Sequence, residues 1–226
     1  MAWSDWIRDG VEVEPSLYAA DFMRLGTQIE TLLGAGAKVF HFDVGDGHFV
    51  PPVTIGPVVL RSIAPAIHAA GGVVDCHLMV DDPEHHFEEI AASGGDSVTF
   101  HVEATSDPAG VAAAARACGL GVGVAFNPDT SPKDAAAFAH TAHAEIVLCM
   151  SIHPGYSGQP FMTEALSRVT RLHELVAVPI QVDGGVGASN VTAVQAAGAA
   201  LLVAGSAIFG DADPAAAYAR LRAACP

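Results

Sequence analysis

Two histidines and two aspartates lie on short apolar runs that read as buried strands. His41 and Asp43 lie on one run. His77 lies on a second, and Asp183 ends a third. Because side chains alternate along a strand, His41 and Asp43 share one face. Two imidazoles with two carboxylates suit a divalent transition metal such as Zn, Fe or Co, so the sequence predicts a metal site if the three runs converge.

Each of these residues also has an ordinary structural interpretation. A lone histidine in an apolar strand, such as His77, is commonly a hydrogen-bonded core residue. An aspartate at a strand end, such as Asp183, commonly caps a helix or forms a turn. Six other histidines lie on helices or away from the four-residue set and are interpreted as surface or structural residues: His85, His86, His101, His140, His143 and His173. The set gains weight because its members fall at one end of the predicted sheet.

The elements that would position these residues alternate strictly. The predicted strands are residues 11–16, 39–43, 73–79, 97–101, 121–126, 146–150, 180–183 and 201–204. Ala-rich helices, several beginning at Asp-Pro or Ser-Pro, are predicted over residues 21–33, 58–63, 82–92, 107–118, 131–138, 163–175, 189–197 and from 213 onward. Eight strand–helix units predict an α/β fold, a single (β/α)8 TIM barrel. A doubly wound open sheet is the alternative, although the expected glycine-rich turn after the first strand is missing.

Glycine and serine residues follow the last three predicted strands. They are Gly155, Ser157 and Gly158, then Gly184 and Gly185, and finally Gly205 and Ser206. Glycine lets the backbone approach a ligand closely, and barrels often bind phosphate with the loops after strands seven and eight. We therefore expect a phosphate ester that reaches from these loops to the metal. Residues 153–160 are expected to close over it.

Composition limits the classes of partner. The chain has 226 residues, a formal net charge of −15 and only ten Lys and Arg, so a nucleic-acid partner is not expected. No secretory signal or membrane-spanning stretch is evident. The four cysteines include no CxxC pair and are interpreted as reduced thiols of a cytoplasmic protein. We expect one domain over residues 1–226, with residues 1–10 as an extension that packs through Trp3 and Trp6.

Several segments between Pro15 and Gly210 occur in the order of a known family. They are Pro15-Ser16-Leu17 with Ala20-Asp21-Phe22, His41-Phe42-Asp43 with Asp46-Gly47-His48-Phe49-Val50-Pro51, Asp75-Cys76-His77-Leu78-Met79, Asn127-Pro128, Met150-Ser151 with Pro154-Gly155-Tyr156-Ser157-Gly158-Gln159, Val182-Asp183-Gly184-Gly185, and Val203-Ala204-Gly205-Ser206. With them the chain resembles the ribulose-phosphate 3-epimerase family.

This resemblance implies a ribulose-phosphate binding barrel that interconverts D-ribulose 5-phosphate and D-xylulose 5-phosphate. It implies one bound divalent metal ion, with Zn²⁺ or Fe²⁺ preferred and Mn²⁺ or Co²⁺ as alternatives. The ligands would be His41, Asp43, His77 and Asp183. Asp43 and Asp183 would also transfer protons at C3 through a metal-stabilised enediolate. The expected substrate contacts are Ser16, His41, His77, Met79, Met150, Gly155, Tyr156, Ser157, Gly158, Asp183, Gly184, Gly185, Gly205 and Ser206. The family also forms dimers and hexamers, so a homo-oligomer is expected.

The chain departs from the family pattern at Gly45, where the family has a methionine, and at His153 and Ser157 in the loop after the sixth strand. The missing methionine predicts room for a longer sugar, such as allulose 6-phosphate. Two rival classes remain open. One is a metal-independent phosphate-binding barrel lyase or isomerase. The other is a barrel that only binds a phosphorylated ligand, which the pair of acids argues against.

Overall fold

Eight parallel strands form one sheet that closes almost completely into a barrel. In this computed structural model, which describes residues 6–7 and 10–225, the strands are β1 Glu12–Pro15, β2 Val39–Gly45, β3 Val73–Met79, β4 Ser97–His101, β5 Gly121–Phe126, β6 Ile146–Met150, β7 Ile180–Asp183 and β8 Leu201–Ala204. Their order is β1-β8-β7-β6-β5-β4-β3-β2, and a parallel bridge between Ser16 and His41 links β1 to β2. The predicted barrel is confirmed, and the open-sheet alternative is wrong.

Helices follow the strands and cover the outside of the barrel. They are α1 Leu25–Gly34, α2 Pro57–Ala69, α3 Glu84–Ser93, α4 Pro108–Ala117, α5 Pro132–Ala142, α6 Glu164–His173, α7 Val191–Ala196, α8 Ser206–Phe209 and α9 Pro214–Ala223. Asp107, Ser131 and Asp213 cap α4, α5 and α9, because each side chain accepts a hydrogen bond from a backbone N–H of the first turn. The four-residue helix α8 was not predicted.

The two faces of the barrel sheet differ in chemistry. Outward-facing side chains such as Phe40, Phe42 and Phe100 belong to one apolar core shared with the helices. The interior instead holds fully buried polar side chains: Glu14, His41, Asp75, His77, Ser97, Thr99, His101 and Gln181. Burying so many polar groups is costly unless they bond to one another, so the interior must be a connected network.

An apolar layer closes the opposite end of the barrel from the polar strand ends. Val39, Val73, Ile146 and Leu201 are the first residues of four strands, and Trp6 packs against them. The predicted packing of Trp6 is therefore confirmed, whereas Trp3 lies outside the described residues. Within residues 6–7 and 10–225, no helix combines the length and the apolar character needed to cross a bilayer.

Candidate metal centre and active site

The four side chains predicted to bind metal meet at the carboxyl ends of their strands. His41 and Asp43 come from β2, His77 from β3 and Asp183 from β7, and one ligand atom from each lies within 4.8 Å of the others. Asp43 Oδ1 is 3.2 Å from His41 Nε2 and 3.1 Å from His77 Nδ1. Asp183 Oδ2 is 3.8 Å from His77 Nδ1. Ser16 Oγ donates to Asp43 Oδ2 at 2.8 Å, which fixes the other carboxylate oxygen.

The set fits a divalent cation by its own geometry. His41 Nε2 is buried and makes no well-aligned hydrogen bond, although Asp43 Oδ1 lies 3.2 Å away. An unpaired buried nitrogen is costly, and a cation bound beside Asp43 would satisfy it. Imidazole nitrogens and carboxylate oxygens are also the donors that Zn²⁺ and Fe²⁺ accept in proteins. The residues therefore match the chemistry of the metal that the sequence suggested.

The two aspartates of the cluster have opposite electrostatic surroundings. Burial alone would raise the pKa of Asp43, but the charges and hydrogen bonds of His41 and His77 hold that pKa well below its usual range. Burial and the negative charge of Asp43 raise the pKa of Asp183 to about 7. Near neutral pH one carboxyl is charged and the other holds a proton for part of the time, which is how paired acids divide the roles of acid and base.

A carboxylate network holds His41 from below. Its Nδ1 lies 3.2 Å from Asp75 Oδ2 and 3.6 Å from Glu14 Oε2. Gln181 Nε2 donates to both carboxylates, at 2.9 Å to Asp75 and 2.7 Å to Glu14. Burial alone would lower the pKa of His41, but the charge and hydrogen bond of Asp43, followed by the hydrogen bonds of Asp75 and Glu14, raise it well above its usual value. Because the Gln181 amide bonds to both acids, we interpret Glu14, His41 and Asp75 as a hydrogen-bonded support and not as a second metal site.

His101 was left outside the four-residue set as a surface or structural residue, and the structure places it inside the barrel in contact with a member of that set. It ends β4, is fully buried, and its Nε2 lies 2.8 Å from His77 Nε2. Its Nδ1 lies 3.2 Å from Glu103 Oε2. Burial lowers the pKa of His101 to about 4, so its ring is neutral. The missed support residues shared one signal, namely polar side chains at every second position of an apolar strand, as in Asp75 and His77.

The turn after β7 fixes Asp183. Gly184 has a φ of +115°, and a Cβ atom there would lie 2.4 Å from Ile152 Cγ1. Gly185 has a φ of +65°, and its Cβ would lie 2.7 Å from the backbone nitrogen of Phe161. Ser151 Oγ donates to the carbonyl oxygens of Asp183 and Gly184 at 2.8 and 2.5 Å. Only glycines fit this turn, and the carboxylate follows a fixed backbone.

A cavity opens directly above the four-residue cluster. Its lining includes Asp43 together with these predicted contact residues: Ser16, Met79, Met150, Gly155, Tyr156, Ser157, Gly158, Asp183, Gly184, Gly185, Gly205 and Ser206. His41 and His77 do not line it, because they lie buried beneath. Tyr18, Ile152, Val186 and Val203 complete the described lining and were not predicted. No Lys or Arg is among the described lining residues, so an anion there would depend on neutral donors.

The predicted free space above Gly45 is absent. A Cβ atom at Gly45 would lie 3.0 Å from Pro52 O and Val50 Cγ2 and 3.1 Å from Thr54 Cγ2. The Thr54 hydroxyl accepts from Gly45 N–H and donates to Asp43 O, both at 2.7 Å. The loop after β2 thus folds back onto Gly45, which is not among the cavity-lining residues. The glycine makes room for its own loop.

Comparison with known proteins decides the family. The model described as "Ribulose-phosphate 3 epimerase family" matches residues 12–209. The chain belongs to this family. A relative named ribulose-phosphate 3-epimerase in Mycobacterium leprae is 39% identical, with 94% of each chain covered. The Escherichia coli protein of the same name is 36% identical and is matched over 89% of this chain and 90% of its own. The chain is therefore an isomerase, an epimerase that acts on carbohydrates.

Solved structures agree with the barrel of this epimerase. A 3-hexulose-6-phosphate synthase superimposes with a TM-score of 0.70 at 27% identity, over 96% of this chain and 99% of that one. KGPDC from Streptococcus mutans gives a TM-score of 0.71 at 15% identity, over 95% of this chain and 96% of that one. At that identity the second likeness supports the fold alone.

Proposed function

We propose that this epimerase interconverts D-ribulose 5-phosphate and D-xylulose 5-phosphate, with one bound divalent cation and with Asp43 and Asp183 as its proton carriers. The single observation that carries the proposal is that both acids line one cavity and converge with His41 and His77 buried beneath it. The names of the curated relatives support the choice of sugar.

Two acids are what inversion at C3 requires. The proton on C3 is acidified by the neighbouring ketone, and it must leave from one face while another proton arrives on the opposite face. Asp43 and Asp183 come from the non-adjacent strands β2 and β7, and both line the cavity. In the metal-free protein the pKa of Asp43 is held low and that of Asp183 is raised to about 7, so the two carboxyls differ in their affinity for a proton before a cation binds.

The candidate cation ligands are His41 Nε2, His77 Nδ1 and one oxygen from each aspartate. A divalent cation bound there would supply Lewis-acid stabilisation of the negative charge that develops on the sugar oxygens. Zn²⁺ or Fe²⁺ suits this mixed set best, with Mn²⁺ and Co²⁺ as alternatives. Ser16 orients Asp43 through its hydroxyl, and Met79 and Met150 give the cavity wall an apolar surface that excludes water.

The sugar phosphate would lie between the cluster and the glycine loops. Gly184, Gly205 and Ser206 line the side of the cavity that follows β7 and β8, where barrels commonly bind phosphate. Ser157, on the loop after β6, approaches this side, because its Oγ is 3.4 Å from the position of a Cβ at Gly205. The exposed loop of residues 153–160 would close over the substrate.

A five-carbon sugar is preferred to allulose 6-phosphate. The feature that favoured a longer sugar was Gly45, and the loop after β2 occupies the space beside it. We further propose that residues 1–226 form one domain, that the enzyme is a homo-oligomer, and that it is cytoplasmic. The last point is supported by four free cysteines and by a rice relative named as a cytoplasmic isoform.

One assay tests substrate and metal together. The purified enzyme is given D-ribulose 5-phosphate or allulose 6-phosphate, before and after removal of metal with a chelator, and then after Zn²⁺ or Fe²⁺ is restored. We expect turnover of the pentulose to exceed that of the hexulose, to vanish on chelation and to return with metal. Negligible turnover of the pentulose would refute the substrate. Full activity without metal would favour the metal-independent class.

A further inference from the structure

His101 is a buried imidazole that the proposed proton transfer does not use, yet both of its ring nitrogens are engaged. Its Nε2 lies 2.8 Å from His77 Nε2, and its Nδ1 lies 3.2 Å from Glu103 Oε2. The ring also stacks on His77 with centroids 5.0 Å apart and contacts Phe49 at 4.8 Å. Full burial requires both ring nitrogens to have partners, and here both partners are polar groups that lead away from the cluster.

The two facing nitrogens of His77 and His101 share one proton, which one ring donates and the other accepts. A neutral imidazole carries one proton, and its other nitrogen is an acceptor. His77 Nδ1 faces the cluster, at 3.1 Å from Asp43 Oδ1. If Nδ1 gives its lone pair to a cation, the His77 proton must be on Nε2 and is donated to His101 Nε2. The His101 proton is then on Nδ1 and is donated to Glu103.

Glu103 fixes the direction of this chain of hydrogen bonds. Its Oε1 accepts from Asn127 N–H at 2.9 Å and from the Thr130 hydroxyl. Burial would raise the pKa of Glu103, but the hydrogen bonds from His101, Thr130 and Asn127 outweigh it and lower that pKa. Glu103 therefore stays a carboxylate that can only accept, and His101 must donate to it from Nδ1.

We propose that His101 and Glu103 are positioning residues that select the His77 tautomer with Nδ1 free for the cation. The inference rests on the proposed cation site and extends it by two residues. The opposite order, with His101 donating from Nε2 to His77, would leave a proton on His77 Nδ1 and block that ligand. Hydrogen bonds to the far nitrogen of a metal-bound histidine orient its ring, and their loss typically lowers metal affinity by about 10–100-fold.

An isosteric variant separates this role from packing. In Glu103→Gln the amide oxygen can still accept from Asn127 and Thr130, which turns the amide NH₂ group toward His101. That donor would require an acceptor at His101 Nδ1 and reverse the whole chain of hydrogen bonds. His101→Phe keeps an aromatic ring but removes the acceptor for His77. His101→Gln can place an amide oxygen near the former Nε2 position and should restore the acceptor for His77.

The test is a Co²⁺ titration of the metal-stripped full-length protein, followed by the visible absorption of Co²⁺. Glu174→Gln is the matched control, since Glu174 is exposed in a surface ion pair with Arg171. We expect Glu103→Gln and His101→Phe to bind Co²⁺ about 10–100-fold more weakly than the control, and His101→Gln to recover most of the affinity. The thermal midpoints of metal-free Glu103→Gln and the control should agree.

Nitrogen-15 spectra of the histidine rings supply the signature that a packing role would not produce. In the Zn²⁺-loaded wild type, His77 should carry its proton on Nε2, and in metal-free Glu103→Gln on Nδ1. Wild-type protein that binds no Co²⁺ would refute the cation site and this inference with it. Wild-type binding with unchanged affinity in Glu103→Gln and His101→Phe would refute the positioning role alone.

Discussion

The two histidines of the cluster are held in different ways. His41 presents Nε2 to the cluster and is backed at once by carboxylates, with Asp75 at 3.2 Å and Glu14 at 3.6 Å from its Nδ1. His77 presents Nδ1, and its other nitrogen contacts the neutral imidazole of His101. The carboxylate of Glu103 contacts His101 and does not reach His77 directly. The pKa of His41 is raised well above its usual value against the effect of burial, chiefly by Asp43 and further by Asp75 and Glu14, whereas burial lowers the pKa of His77.

The difference shows how a chain with a negative interior keeps one site for a cation. The negative charge of the carboxylates behind His41 makes that imidazole the more basic ligand. Gln181 and Ser97 stabilise this charge, because both donate hydrogen bonds to Asp75. The neutral imidazole of His101 orients the hydrogen bond of His77 without adding charge next to it. Asp43 lies between the two halves and contacts both imidazoles, so it couples them.

The largest effect is expected when this coupling is removed. Asp43→Asn keeps the shape but takes away the charge that both imidazoles face and one of the two proton carriers. We expect kcat to fall by about 10²–10⁴-fold, the usual contribution of a positioned acid or base. Steady-state assays on D-ribulose 5-phosphate would measure this, with circular dichroism as the folding control. A loss below about tenfold would exclude Asp43 as a proton carrier.

The two supports can then be compared directly. Asp75→Asn removes the charge next to His41, whereas Glu103→Gln removes a charge that reaches His77 only through His101. We expect weaker Co²⁺ binding in both, about 10–100-fold, with the larger loss in Asp75→Asn because its contact is direct. Asp75→Asn should also lower the free energy of unfolding by about 1–3 kcal/mol, since Ser97 and Gln181 lose a charged partner. Equal losses in both variants would mean that the two supports are equivalent.

The smallest effect concerns Glu14 and the pH dependence of stability. Burial raises the pKa of Glu14 from 4.5 to about 7 in the folded protein. The stabilisation from its bound proton is therefore fully present below about pH 4.5 and is lost as the pH rises through 7. In metal-free protein, Glu14→Gln should lose less thermal stability than wild type between about pH 5 and pH 8. Parallel melting curves at the two pH values would contradict this raised pKa.

The sequence predicted the bounds of the strands better than which of their side chains meet inside the barrel. Strands β3 to β8 have the predicted bounds, because most of them are apolar runs bounded by glycine, proline or charged residues. β2 continues two residues further, to Gly45, because Val44 and Gly45 pair with the last two residues of β3. Such a contact joins separate segments of the chain and has no periodic pattern that would announce it.

The site residues at the ends of the strands could be predicted from the sequence. The supporting residues inside the barrel could not. The four ligand-type residues converge as expected, because parallel strands bring their carboxyl ends together. Glu14, Gln181 and His101 were missed because polar residues at every second position share a face of their strand, but the pattern does not say whether that face meets the helices or the barrel axis. Only the register across several strands shows that these residues meet.

Hydrogen exchange at C3 is the most direct test of the two-acid account. Wild type and Asp183→Asn would each be incubated with D-ribulose 5-phosphate in D₂O, and deuterium at C3 of both sugars would be followed by proton NMR. The account predicts that wild type forms D-xylulose 5-phosphate with solvent deuterium at C3, and that Asp183→Asn folds but gives no net epimerisation. Epimerisation by Asp183→Asn at the wild-type rate, or product without deuterium at C3, would contradict it.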